Sequence, residues 1–333
     1  MNTPPIPVVF ESLFKPKPWG GRQLADLFGK PLPPDEPIGE SWEIVSLPGN
    51  ESRVRGGPLA GRSLSELLDA WDNALCPPDA RADGRFPLLI KFLDARENLS
   101  VQVHPKPPED DPTRWRPGIK HEAWYVLAAD PGAELFIGLR PGVTHADLVE
   151  AANTPRSAEL LRRWPVQVGD CYYLPSGVIH ALGAGIVVAE VQTPSDVTYR
   201  LYDWDRRGTD GQPRELHLDQ ALANVRMDVP DSAIVQPLRR GDRAYATADR
   251  ITTCERFQIE RVRFGAGEHL ELSRPAMVIW IVLAGAGTLR REGVETAFSM
   301  GDTILIPGAG ATRVEIGAAA EVLEVSLPGA HDS

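Results

Sequence analysis

One stretch of this chain is written twice. Gly169-Asp-Cys-Tyr-Tyr-Leu-Pro175 has the form Gly-Asp-x4-Pro, and Gly301-Asp-Thr-Ile-Leu-Ile-Pro307 repeats it. Trp280-Ile-Val-Leu283 likewise echoes Trp124-Tyr-Val-Leu127, each ahead of a glycine-containing turn. Repeated strand-and-turn units predict two β-barrels of one type, of the jelly-roll kind. The 31 prolines and 30 glycines fit that expectation, since an all-β protein needs a turn roughly every ten residues. The fold class is therefore all-β with accessory helices. The expected division is a first, functional barrel with helical additions over residues 1–235 and a C-terminal barrel over 236–333.

The two copies differ where chemistry would sit. The first continues as Pro175-Ser-Gly177-Val-Ile-His180, a turn that delivers a histidine to the start of the next strand. In the second copy Thr312 falls where His180 would, and no Gln-x-His or His-x-His pair is present. The second barrel is expected to lack metal and to buttress the first or help it associate.

Local patterns fill in the rest. Strand-like runs are expected at 8–14, 41–46, 86–93, 166–174, 186–192 and 196–205. Residues 63–75 carry Leu64, Leu67, Leu68 and Trp71 at helical spacing behind a capping Ser63. Residues 143–164 read as an amphipathic helical segment broken near Pro155, 216–226 as a helix, 230–241 as a linker, and 105–118 as a loop over the barrel mouth.

Four residues make a candidate metal set: Gln102, His104, Glu122 and His180. Side chains two apart on a strand share a face, so Gln102 pairs with His104 and Lys120 with Glu122. Two imidazoles, a carboxylate and an amide oxygen suit Zn²⁺, with Fe²⁺, Co²⁺ and Mn²⁺ as alternatives. The poverty in cysteine favours an open catalytic site over a structural one. His121 alternates to the opposite face, and His145, His217, His269 and His331 read as ordinary surface histidines. Arg200, on an apolar-aromatic strand, is either paired structurally with Asp196 or Asp203, or held by Asp196 to face substrate oxygens. Lys91 either lies at a strand end or snorkels out of its strand, or is kept for an anionic ligand. Glu190 shares a strand face with Gln192 and is a further lining candidate.

A net charge of −11 and the lack of any basic stripe argue against nucleic acid. An anionic ligand needs a local basic cluster, which Lys91, Lys120 and Arg200 would supply. No apolar run approaches the ~20 residues of a membrane span. The N-terminus shows no signal-peptide pattern, and three scattered cysteines (Cys76, Cys171, Cys254) suggest a reducing, cytoplasmic setting.

Taken together, Lys91-Phe-Leu-Asp-Ala, Ser100-Val-Gln102-Val-His104-Pro, Lys120-x-Glu122-x-Trp-Tyr, Gly177-x2-His180-Ala-Leu and Asp196-x3-Arg200-x-Tyr-Asp-Trp-Asp resemble the type I mannose-6-phosphate isomerases of the short bacterial form, in the cupin superfamily. The resemblance covers roughly residues 5–230 by motif and implies two cupin-type barrels. It implies one zinc ion per chain on Gln102, His104, Glu122 and His180, with Arg200 as the active-site arginine and Lys120 beside the metal. The implied reaction interconverts mannose 6-phosphate and fructose 6-phosphate by proton transfer between C1 and C2. For the proton carrier a metal-bound water, Lys120 and Glu190 all stand open. Lys91 and Ser100 are candidates for the phosphate, with Asp196 and Glu190 as further substrate contacts. The partner is then a hexose 6-phosphate, with the chain a monomer or homodimer. Two other classes share the barrel: an Fe²⁺ cupin oxygenase, and a sugar-phosphate-binding regulator without catalysis.

Overall fold

The computed structural model describes residues 4–108, 110–111, 116–208, 211–243 and 246–328. It is an all-β architecture with accessory helices, built from large antiparallel sheets. A six-stranded sheet runs in the order Cys171–Leu174, Glu122–Ala129, Ile186–Gln192, Leu89–Ala95, Leu13–Gly21 and Ile38–Ile44. A five-stranded sheet runs Leu161–Pro165, Glu134–Leu139, His180–Ala181, Val101–Val103 and Tyr199–Tyr202. Their inner faces share one core, with Leu93, Trp124, Val126 and Val188 meeting Leu135, Ile137 and Leu182.

The outer face of the six-stranded sheet is also apolar, because a second layer covers it. Phe86, Leu88, Ile90 and Phe92 pack there with Leu64, Leu67, Leu68 and Trp71 of the helix Leu64–Trp71, and with Ile279, Ile281, Leu323 and Val325 from the C-terminal third. Ser63 caps that helix in a reciprocal box with Glu66. The C-terminal residues supply eight strands of a nine-stranded antiparallel sheet around Val278–Arg291 and Gly310–Ser326, with its own core of Trp280, Val282, Phe264, Phe298, Ile304 and Ile316. Val8–Val9 joins this sheet by pairing with Leu305 and Ile304. The N-terminus is thereby tied to the C-terminal sheet.

The repeat in the sequence is a repeat in hydrogen bonding. Gly169 N–H donates to Val126 O and Val126 N–H to Asp170 O, both at 2.9 Å, and Gly301, Val282 and Asp302 reproduce the pair at 2.9 Å. The Asp side chain closes each turn by accepting from the backbone N–H three residues back, Gln167 in one copy and Ser299 in the other. Trp124 Nε1 donates to Glu190 Oε2 at 2.7 Å, and Trp280 Nε1 to Glu324 Oε2 at 2.8 Å.

Several expected elements differ. Only His145–Ala151 and Arg156–Glu159 of residues 143–164 are helical, and Leu161–Pro165 is a strand. Leu161 continues as an alternating edge strand beside Glu134–Leu139, where long-range pairing overrides local helical spacing. The expected linker holds the short helix Asp231–Ile234 and the start of strand Arg239–Arg243, because Ile234 finds a buried place in the first core. The strand expected over 196–205 is Tyr199–Tyr202, the helix over 216–226 is Leu218–Asn224, and part of 105–118 lies outside the described residues.

Candidate metal centre and sugar-phosphate cavity

Strand register brings the four candidate ligands together. His180 lies directly opposite Gln102, and Gln102 directly opposite Arg200, on three adjacent strands of the five-stranded sheet. Glu122 begins the facing strand, and His104 follows the strand Val101–Val103. The turn before His180 needs Gly177: its φ is +91°, and a Cβ there would lie 2.9 Å from both Arg226 Cγ and Lys106 Cβ.

His104 Nε2 lies 3.2 Å and His180 Nε2 3.4 Å from the same Glu122 oxygen, and candidate ligand atoms of the three residues fall within 4.8 Å of one another. Each imidazole uses Nδ1 on a backbone carbonyl, Val197 O for His104 and Val178 O for His180, both at 2.8 Å. A carbonyl only accepts, so each Nδ1 carries the proton and each Nε2 presents a bare lone pair. Burial pushes the His180 pKa down to about 3; burial and then the Lys120 charge lower that of His104. Two lone pairs thus face a carboxylate oxygen, an arrangement that is repulsive without a cation between them. The residues fit a divalent metal.

Gln102 completes the set. Ser100 Oγ donates to Gln102 Oε1 at 3.0 Å, and Gln102 Nε2 lies 3.3 Å from His180 Nε2. Half a turn of the amide would present its oxygen to a metal and its NH₂ to Ser100, whose hydroxyl can equally accept. Lys120 makes a direct ion pair with Glu122. Burial alone would raise the Glu122 pKa, but the Lys120 charge holds it well below the carboxylate range. Burial alone would lower the Lys120 pKa, but Glu122 and Glu190 together raise it, so Lys120 is a fixed cation.

Above this cluster opens a cavity of about 330 Å³. Its floor includes a row across four neighbouring strands, with Trp124 opposite Glu190, Glu190 opposite Lys91 and Lys91 opposite Trp42. Lys91 Nζ sits 3.5 Å from Glu190 Oε1 and 3.6 Å from Glu40 Oε2, so it is neither snorkelling nor at a strand end. Burial, and then the Glu122 charge, raise the Glu190 pKa. Glu190 Oε1 has no hydrogen-bond partner and borders the cavity.

Six cationic side chains line the cavity (Lys15, Lys17, Lys91, Lys120, Arg200, Arg214) against three acids, Glu40, Glu190 and Asp196. This is the local basic cluster that an acidic chain requires for a phosphorylated ligand. Lys15, Lys17 and Arg214 went unread in the sequence. The first two were discoverable, because Lys-Pro-Lys alternation on a strand puts both ammoniums on one face. Arg214 arrives from a loop and carries no local signal.

Arg200 makes no ion pair with Asp196 or Asp203 among the described residues. The Asp203 carboxylate is occupied by Arg206 at 2.9 Å and Arg214 at 3.2 Å, and Arg200 Nε is buried without a hydrogen-bond partner. The expected Asp196 clamp is therefore absent. Arg200 is fixed through its backbone instead: its N–H meets His217 Nδ1 at 3.4 Å and its carbonyl accepts His217 N–H at 2.9 Å. His217 is thus a half-buried neighbour of the site and no ordinary surface histidine. His145 and His269 are exposed, His121 is buried on the far side of its strand, and His331 lies outside the described residues.

A family model described as "Phosphomannose isomerase type I, catalytic domain" matches residues 8–122. The chain is 34% identical over 311 residues to mannose-6-phosphate isomerase ManA of Bacillus subtilis, covering 93% of this chain and 96% of that one. It is 32% identical over 301 residues to a mannose-6-phosphate isomerase of Streptococcus mutans, covering 90% of this chain and 92% of the relative. Its structure is similar to the crystal structure of the Bacillus subtilis mannose 6-phosphate isomerase, with a TM-score of 0.83 and 30% identity over 97% of this chain and all of the other. The two-sheet body, the His–Glu–His cluster and this near end-to-end similarity have one meaning: the chain belongs to the type I mannose-6-phosphate isomerase family.

Proposed function

We propose that the protein is a zinc-dependent aldose–ketose isomerase that interconverts mannose 6-phosphate and fructose 6-phosphate by moving a proton between C1 and C2 through an enediol(ate). The carrying observation is the pair of bare Nε2 atoms facing Glu122 Oε2 beneath a cationic cavity. Gln102, His104, Glu122 and His180 would hold the metal. A bound Zn²⁺ supplies Lewis acidity toward the sugar oxygens and helps to orient the open chain.

The chain's own groups perform the remaining tasks. Lys120 stays charged beside Glu122 and stabilises negative oxygen as the enediolate develops. Arg200, one strand from Gln102 and with an unpartnered Nε, turns its guanidinium to the same oxygens. Glu190 is the proton carrier: its Oε1 borders the cavity with only the Lys91 ammonium 3.5 Å away, its Oε2 is fixed by Trp124, and its raised pKa suits both accepting and returning a proton. This favours Glu190 over Lys120, which the surrounding carboxylates keep protonated. Lys91 and the cavity-wall lysines Lys15 and Lys17 supply charge for the phosphate, while Ser100 and Asp196 offer hydroxyl and carboxylate contacts to the sugar.

Replacing Arg200 tests the assignment. Arg200→Ala is expected to lower kcat by at least about 100-fold, the scale of losing one oxyanion donor, while zinc content measured by atomic emission stays at one per chain. Near-normal turnover in that variant would remove Arg200 from the mechanism.

A further inference from the structure

We infer that Glu255, on a turn of the C-terminal sheet, is a positioning residue for the metal centre and acts through His121. This rests on the reading that His104, Glu122 and His180 hold a divalent metal. Lys120 and Glu122 face the site, so the residue between them must point out of its back. His121 does so, and it is 5% exposed. Its Nδ1 receives the Tyr173 hydroxyl at 2.9 Å and the Ser176 backbone N–H at 3.4 Å.

A backbone N–H can only donate, so Nδ1 is the acceptor and the ring proton sits on Nε2. That Nε2 lies 3.3 Å from Glu255 Oε1, which accepts it. The His121 ring is also parallel to Tyr173, 6° between planes, and Tyr173 meets Phe257 edge-on, so the contact extends into the apolar layer shared with the C-terminal sheet. The backbone on either side is pinned as well: His121 N–H donates to Thr193 Oγ1 at 3.1 Å and Lys120 N–H to Ser176 Oγ at 2.9 Å.

The segment carrying both Glu122 and the Lys120 cation is therefore held from behind, and the outermost link comes from the C-terminal sheet. Releasing His121 lets this segment shift, and a metal ligand displaced by a fraction of an ångström binds less tightly. Outer partners of ligand residues are worth about 10- to 100-fold in metal affinity, and Glu255 acts one link further out.

The test measures zinc affinity of the full chain by competition with a chromophoric chelator for wild type, Glu255→Ala, Glu255→Gln and the remote control Glu295→Ala, which breaks an exposed ion pair with Arg290. The expected result is a loss of about 3- to 10-fold in affinity for Glu255→Ala. Glu255→Gln, which keeps an acceptor, recovers most of that loss, and Glu295→Ala matches wild type. Wild-type affinity in Glu255→Ala, or equal losses in all three variants, would overturn the inference. A wild-type chain that binds no zinc would instead overturn the metal reading itself.

Discussion

At the residue scale, the site sets ionisable groups against one another so that each keeps a single role. Glu122 is held charged by Lys120, while Glu190, opposite Trp124 and Lys91 and diagonal to Glu122 in the strand register, is raised by burial and by the Glu122 charge. In the proposed mechanism, two carboxyls with separated proton affinities divide ligand and proton-carrier duties between them. Glu190→Gln keeps the Trp124 contact and the shape but removes the acceptor. It should reduce kcat by about 10²–10⁴-fold, the usual contribution of a positioned acid–base, with zinc content unchanged. Steady-state kinetics alongside metal analysis will decide it, and a kcat within a few-fold of wild type would return the role to another group. The convergence of His104, Glu122 and His180 was legible in sequence because strand alternation and the Gly-x2-His turn are local. His217, which fixes Arg200, and Arg214 were not, because they come from the start of a helix and from a loop.

At the element scale, short strands need their turns to be right. Gly177 is the clearest case, since it carries a positive φ and its missing Cβ leaves room for Arg226 and Lys106. Gly177→Ala should cost about 1–3 kcal/mol through backbone strain, read as a lower urea midpoint, and should weaken metal binding because His180 follows three residues later. Unchanged metal affinity in a stably folded Gly177→Ala chain would show that the turn does not set the ligand. Elements with strong local signals were readable: Ser63 and the leucine spacing announce the helix Leu64–Trp71, and Ile186–Gln192 is a fully buried strand opening on the apolar run Ile186–Ala189. Residues 160–165 misled, because leucines at helical spacing sit equally well on an edge strand once Glu134–Leu139 lies beside them. The pairing of Val8–Val9 with Thr303–Ile306 spans almost the whole chain and leaves no trace in either segment.

At the scale of the whole molecule, the two β bodies share the apolar layer around Phe92, Ile279 and Leu323, so they should unfold together. Buried charge in the first body then makes the entire transition sensitive to acid. Glu40 bridges Lys17 at 3.1 Å and Lys91 at 3.6 Å and accepts Trp42 Nε1 at 2.6 Å. Burial alone would raise its pKa, but Lys91, Lys17 and Trp42 hold it far below the carboxylate range. A depressed folded-state pKa stabilises the fold fully above the unfolded value of about 4.3 and loses that contribution as pH falls further. Glu40→Gln should therefore cost about 2–4 kcal/mol at pH 7, as breaking a buried pair does. Its stability curve should begin to approach that of wild type only below about pH 4.3, with the gap still narrowing down to about pH 2. Parallel curves from urea titrations across that range would contradict the role given to Glu40.

The central claim is that the His–Glu–His cluster beneath the cationic cavity is a metal-dependent isomerase site, and one measurement tests it most directly. Purified protein is assayed for conversion of mannose 6-phosphate to fructose 6-phosphate before chelation, after chelation, and after zinc is restored. The account predicts conversion that vanishes with the chelator and returns with zinc. A folded, zinc-loaded protein that leaves mannose 6-phosphate unchanged would contradict it.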